Sequence, residues 1–177
     1  MKKGKIDFHC QSIYQVDPLF FKELGIKYLV VDLDNTLSVP HLKVPSLDSV
    51  NLKNTLEKMG ITLIVLSNNF PYRVRPYCQS LGVTYLSFSL KFFAFRIRGF
   101  LKKKQIKIEE CLFAGDQLIT DMNYANKLKG RFLLTEPLVE KDNFFAALTR
   151  KKDVKRRRLM KESNQLGLEC PTIKRGA

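Results

Sequence analysis

A single α/β domain with a mainly parallel five-stranded sheet and helices on both faces is predicted for this 177-residue chain by three features. Short, β-branched apolar runs alternate with helix-length segments, as in repeated strand–helix–strand units. Each helix-length segment is punctuated by cap and breaker residues. Polar residues collect where the apolar runs stop, at Asp32 and Asp34, at Ser67 and Asn68, and at Asp116. In open parallel sheets the carboxyl ends of the strands are where sites form.

The first predicted strand is "KYLVVDLD" (27–34), and a helix follows over 46–59, opened by Ser46 as N-cap and closed by Gly60. "ITLIVLSN" (61–68) is the second strand, and Pro71 starts a helix that ends before Gly82. "VTYLSFS" (83–89), "CLFAGD" (111–116) and "RFLLTEP" (131–137) complete the five strands. Helices are predicted between them over 91–104 and 117–129, the second stopping at Gly130. Helical spacing in the first of these puts Phe92, Phe93 and Phe100 on one buried side. The alternative is that some of the phenylalanines at 92, 93, 95 and 100 face a lipid surface beside Arg96, Arg98 and Lys102. Residues 1–149 thus form the domain, with a short N-terminal extension. From 150 to 177 the alternation ceases, and a basic helix or tail with a polar, partly disordered end is expected.

The net charge of +14 is localised. Residues 91–107 hold seven Lys or Arg and no acid; residues 150–177 hold ten against Asp153, Glu162 and Glu169. Together the two segments account for the whole excess. Such concentration favours an anionic partner, a membrane surface or a nucleic acid. No apolar run reaches the roughly 18 residues that span a bilayer, and the start of the chain does not read as a signal peptide. The four cysteines lack disulfide or zinc spacing, which suits reduced thiols in the cytoplasm.

Two carboxylates at the end of a buried strand need a reason, because unpaired charge is costly there. Taken alone, the D-x-D of "DLDNTL" is open between a metal site, a phospho-acceptor and a solvated turn. The order in which other motifs follow is more specific: "LIVLSNN" at the next strand end, Lys91, then "FAGDQLITD". That set resembles the haloacid-dehalogenase (HAD) superfamily of phosphotransferases. With "QSIYQVDPLFFKELGIKYLVVDLDNTL", "SNNFPYRVRPYCQSLGV" and "FFAALTRKKDVKRRRLM", the stretch from about Cys10 to Lys161 is similar to the YqeG-type phosphatases of subclass IIIA.

The resemblance implies a HAD-like, Rossmannoid three-layer α/β/α fold and a Mg²⁺-dependent phosphomonoester hydrolase. Asp32 would be the nucleophile that takes the phosphoryl group, and Asp34 the acid/base that serves the leaving group and then water. Mg²⁺ would be held by Asp32, the Asp34 carbonyl and Asp116, with Asp121 behind them orienting water or Lys91. Ser67, Asn68 and Thr36 would serve the phosphoryl group and the nucleophile loop, and Lys91 would neutralise charge. Phe92 follows Lys91 where related sequences commonly carry proline. The intervals from Asp34 to Ser67 and from Ser67 to Lys91 leave no room for a large cap domain. Only "LSVPHLKVP" (37–45) remains for a small flap, with His41 and Lys43 near the entrance.

The substrate implied is phosphatidylglycerophosphate, giving phosphatidylglycerol, at the inner face of the membrane with the protein peripheral to it. Two alternatives stand beside it: a phosphatase for nucleic-acid ends or phosphoproteins, and a non-catalytic module binding RNA or ribosomes through residues 150–177. A receiver-type signalling domain fits poorly, because the third predicted strand carries no phospho-acceptor.

Overall fold

A computed structural model describes residues 4–40, 42–139 and 144–173, with the backbone alone over 144–151. His41 lies outside the described residues. In chain order the elements are β1 (Phe8–Cys10), α1 (Pro18–Glu23), β2 (Tyr28–Asp32), α2 (Leu47–Lys58), β3 (Thr62–Leu66), α3 (Pro71–Leu81), β4 (Thr84–Leu86) and α4 (Phe95–Lys103). They continue with β5 (Cys111–Gly115), a π-helical turn (Leu118–Met122), α5 (Asn123–Leu128), β6 (Arg131–Thr135), α6 (Phe144–Glu162) and β7 (Leu168–Glu169). The strands lie in the order β4-β3-β2-β5-β6-β1-β7, and every neighbouring pair is parallel.

The sheet has seven strands where five are predicted. The five predicted ones are all present. The two additional strands, β1 with three residues and β7 with two, are too short to carry a period-two signal. No inserted cap domain occurs among the described residues.

Alternation along the strands builds two cores. Leu29, Val31, Leu63, Val65, Leu112, Ala114 and Leu133 pack on one side with Phe21 of α1, Leu52 and Leu56 of α2, and Val74, Tyr77 and Leu81 of α3. Val30, Ile64, Leu66, Phe113, Phe132 and Leu134 pack on the other with Ile97 and Leu101 of α4, Tyr124 and Leu128 of α5, and Met160 of α6. Covering on both faces explains why the strands read as continuous apolar runs rather than alternating ones. Gly130 allows close packing at the foot of the second core, since a Cβ there would run into the Phe113 ring.

Three expectations change. First, α4 begins at Phe95, not 91, because Leu90 and Ala94 take left-handed backbone angles (φ 50° and 52°) that break a helix. Phe92 and Phe93 are consequently exposed in the loop before it, and only Phe100 packs against the core. Second, the boundary at 149/150 falls inside α6, a 19-residue helix. Third, the basic C-terminal stretch is tied into the sheet through residue 173. The Leu168 amide donates to the Asp7 carbonyl, Cys170 to His9 and Asp17 to Pro171, while Met160 and Cys170 are buried. The cysteines are buried free thiols, and burial pushes those of Cys78 and Cys111 up to about 12.

Candidate active site

Asp32 is the last residue of β2, two positions after Val30, so the period of the strand turns its side chain toward the α4–α5 layer. There the Lys91 ammonium donates to Asp32 Oδ1 and, at 2.7 Å, to Asp121 Oδ1. Lys91 is 2% exposed, so this ion triad is effectively dry. The Tyr124 ring lies beside it, 5.7 Å from Nζ. Burial pulls the lysine's pKa down, but Asp121 and Asp32 outweigh that and hold it above the ordinary value. Burial likewise pushes the Asp32 carboxyl well above the usual carboxylate range. Lys91 pulls against this, and Asp121, Asp116 and Asp34 push with it.

Asp121 is placed by the π-helical turn, whose wide winding returns the chain to β5. Its Oδ2 accepts from the Gln117 amide at 3.1 Å. A Cβ at Gly115 would collide with the Asp121 carboxylate, so glycine is required at that strand end. Asp116 directly follows Gly115 and is 1% exposed. Asp32, Asp116 and Asp121 each offer a carboxylate oxygen within 4.8 Å of the others. Such an all-oxygen set suits a hard divalent cation such as Mg²⁺. Both oxygens of Asp121 are engaged, Oδ1 by Lys91 and Oδ2 by the Gln117 amide.

Asp34 turns the other way. Leaving the sheet through a tight loop, closed by Asn35 (φ 67°) whose amide donates to the Ser38 carbonyl, it faces α3. Asn69 Nδ2 donates to Asp34 Oδ2 at 2.5 Å, and Arg73 NH2 donates to Oδ1 at 2.8 Å. Ser67, at the end of β3, is buried, and its hydroxyl accepts from the Asn69 amide at 3.1 Å. The Asn68 side chain points to the Lys91 loop, where Oδ1 accepts from the Lys91 amide at 3.0 Å and from Ser89 Oγ at 3.2 Å. Thr36 is fully buried beneath the loop after Asp34.

No protein-family model matches the chain. It is similar to the probable phosphatase YqeG of Bacillus subtilis (strain 168), 27% identical over 144 residues that cover 81% of this chain and 84% of that one. It is also similar to the structure of a putative 3-deoxy-D-manno-octulosonate 8-phosphate phosphatase from Vibrio cholerae. There the TM-score is 0.52 at 17% identity, covering 89% of this chain and 97% of that chain. An uncharacterized protein from Listeria monocytogenes serotype 4b gives a TM-score of 0.52 at 16% identity over 67% and 85% of the two chains. The chain shares with these two structures the α/β fold built on a parallel sheet. The relatives named as phosphatases support a phosphatase.

Within this α/β fold the residues singled out in the sequence form two groups around the β2 end. Asp32, Lys91, Asp116 and Asp121 gather on the α5 side. Asp34 sits on the α3 side, next to the loop of Ser67, while Asn68 reaches across to the backbone of Lys91. Sequence reasoning missed Asn69 and Arg73, which hold Asp34, although both lie in the quoted "SNNFPYRVRPYC". It also missed Arg157. From the "KRRR" run, its NH2 donates to the Asp116 carbonyl at 2.6 Å and the Thr135 carbonyl at 3.1 Å, and its NH1 donates to Glu136 at 2.7 Å. Asp153 is the fourth, caging the π-helical turn through the Ile119 amide at 2.9 Å. The basic C-terminal segment thus supplies a clamp at Asp116 and the π-helical turn. No helix among the described residues is long and apolar enough to cross a membrane.

Proposed function

We propose that this protein is a phosphomonoester hydrolase working through an aspartyl-phosphate on Asp32, with Mg²⁺ as cofactor and phosphatidylglycerophosphate as substrate at the cytoplasmic face of the membrane. The observation that carries the reaction type is the pairing of Asp32 with a buried Lys91–Asp121 ion pair, while Asp34, two residues on, is held separately by Asn69 and Arg73. A nucleophile and an acid/base need such different surroundings.

An oxygen of the Asp32 carboxylate attacks phosphorus, and the bond to the leaving oxygen breaks as Asp34 delivers a proton to it. Water then attacks the acyl phosphate, giving its proton to Asp34, and inorganic phosphate departs with Asp32 restored. Lys91 and the Ser67 hydroxyl would neutralise the negative charge that accumulates on the phosphoryl oxygens. Asp32 and Asp116 would hold Mg²⁺ with the Asp34 carbonyl, and the ion, when bound, supplies charge neutralisation to the phosphoryl group. It also offsets the cost of ionising Asp32 in its buried site.

The lipid substrate is what the YqeG-type resemblance implies. The absence of a cap among the described residues supports it, as does the localised positive charge, each cation near an anionic surface being worth about 1 kcal/mol. The test is phosphate release from phosphatidylglycerophosphate in detergent micelles with Mg²⁺ or EDTA, comparing wild type with Asp32→Asn. Turnover that needs Mg²⁺ and vanishes in the variant is expected. Cleavage of an aryl phosphate through Asp32 with no lipid turnover would leave the mechanism and remove the substrate. Inactivity on both would favour a binding module.

A further inference from the structure

We infer that the mouth of the site is ringed by a docking surface for an anionic lipid bilayer, formed by the aromatic side chains of the two loops that carry Ser67 and Lys91. This rests on the lipid reading above and gives it a place on the molecule. Phe70 and Tyr72 follow the Ser67 loop, and Phe88, Phe92, Phe93 and Phe95 flank Lys91. All six are exposed, Tyr72 at 81%, Phe93 at 67% and Phe95 at 62%. A soluble surface seldom gathers so many large apolar rings at one edge. Position ties them to the chemistry, for the Phe88 amide donates to the carbonyl of Asn69, the residue that holds Asp34.

Charge identifies the partner. From Lys58 to Ile108 the chain has ten Lys or Arg and not one Asp or Glu. That stretch is the β3–α3–β4–α4 side of the molecule, the side that bears the rings. Lys127 and Arg98 are exposed beside the Phe92 loop, Arg98 donating to the Lys127 carbonyl at 3.3 Å, and Arg96 lies over the Phe88 ring with 5.6 Å from its guanidinium carbon to the centroid. Lys127 Nζ donates to the Phe92 carbonyl, bracing the loop that lifts Phe92 and Phe93 outward. Apolar rings surrounded by cations suit the boundary between anionic headgroups and acyl chains.

Ring geometry favours lipid over single-stranded nucleic acid. Bases need free ring faces. Here Phe70 is stacked with Tyr72 at 6.0 Å and with Phe88 at 5.3 Å, and Phe88 carries Arg96. Phe93 and Phe95 are tilted 51° to each other rather than set as parallel platforms. A bilayer asks only for apolar bulk, and docking there would bring the site to a headgroup phosphate without extracting the lipid.

The test is flotation of the full chain with vesicles of equal parts phosphatidylglycerol and phosphatidylcholine, or of phosphatidylcholine alone, for wild type and for Phe93→Ser/Phe95→Ser. Aryl phosphate hydrolysis serves as the control for folding. Wild type is expected to float with the anionic vesicles only, and the double variant to bind them about tenfold or more weakly with aryl phosphate turnover unchanged. Equal vesicle binding by variant and wild type overturns the docking surface, as does a wild type that ignores vesicles and binds a single-stranded oligonucleotide through these rings. The substrate reading is judged separately. Micellar phosphatidylglycerophosphate turnover with vesicle binding indifferent to Phe93 and Phe95 overturns the surface alone. Vesicle binding that depends on them, without lipid turnover, supports the surface and overturns the substrate.

Discussion

Asp32 faces the α4–α5 layer and meets a buried lysine and two more acids, whereas Asp34, two residues on, turns toward α3 and meets an arginine and an asparagine. Their side chains are shielded almost equally, at 12% and 10% exposure, so burial does not separate them. Company does. Asp32 shares one cation with Asp121 in a cluster whose other acids push against its own charge. Asp34 has an arginine to itself and is held by two donors, which aims it. A D-x-D motif thus occupies two environments because the chain leaves the sheet between its members.

The largest effect should come from the first aspartate. Asp32→Asn is expected to lower phosphatase turnover by more than about 10⁴-fold, and Asp34→Asn by about 10³-fold, because one removes the nucleophile and the other the proton transfer. Steady-state assays on an aryl phosphate measure both. Equal losses with no intermediate in either variant would erase the distinction between the two sites.

Next comes the partner of Asp34. Arg73→Gln should reduce kcat by about 10²-fold, the scale of a misplaced catalytic group, with the melting temperature little changed. A fall in stability with turnover intact would make Arg73 a packing residue.

Gly115→Ala tests the Asp32 side. The added methyl meets the Asp121 carboxylate, so the protein should lose about 1–3 kcal/mol in urea unfolding, together with activity. Neutral behaviour would mean that Asp121 can swing away and still serve Lys91.

The smallest effect is a pH dependence. Asp32 has a folded-state pKa raised above its unfolded value, chiefly by burial. Its contribution to stability is therefore full below about pH 4 and is lost as the pH rises. Asp32→Asn removes that loss. Without Mg²⁺, the melting temperature of the variant relative to wild type should rise as the pH climbs above about 4, the ordinary carboxylate value. A relative fall over that range would show that Lys91 outweighs burial.

Much of this was legible in the sequence for a physical reason. In a parallel sheet the carboxyl end of each strand is marked by the point where the apolar run stops, and Asp32, Ser67 and Asp116 stand at those points. Lys91 is different. It lies in a loop shaped by left-handed Phe88, Leu90 and Ala94, which no periodicity announces, and only the order of motifs pointed to it. Arg73 and Arg157 were hidden because their partners come from other elements. Arg73 meets Asp34 only once α3 docks, and Arg157 meets Asp116 only once α6 crosses the back of the site. The buried side expected for Phe92 and Phe93 depends on a helix that starts at Lys91. Starting at Phe95, it leaves Phe92 and Phe93 in the loop.

The most direct test of the central claim is to trap the acyl phosphate. Protein quenched during turnover of a phosphomonoester and reduced with borohydride should carry homoserine at position 32 and unmodified aspartate at position 34, as read by peptide mass spectrometry. Homoserine at position 34, or at neither position while phosphate is being released, would contradict the assignment of the two aspartates.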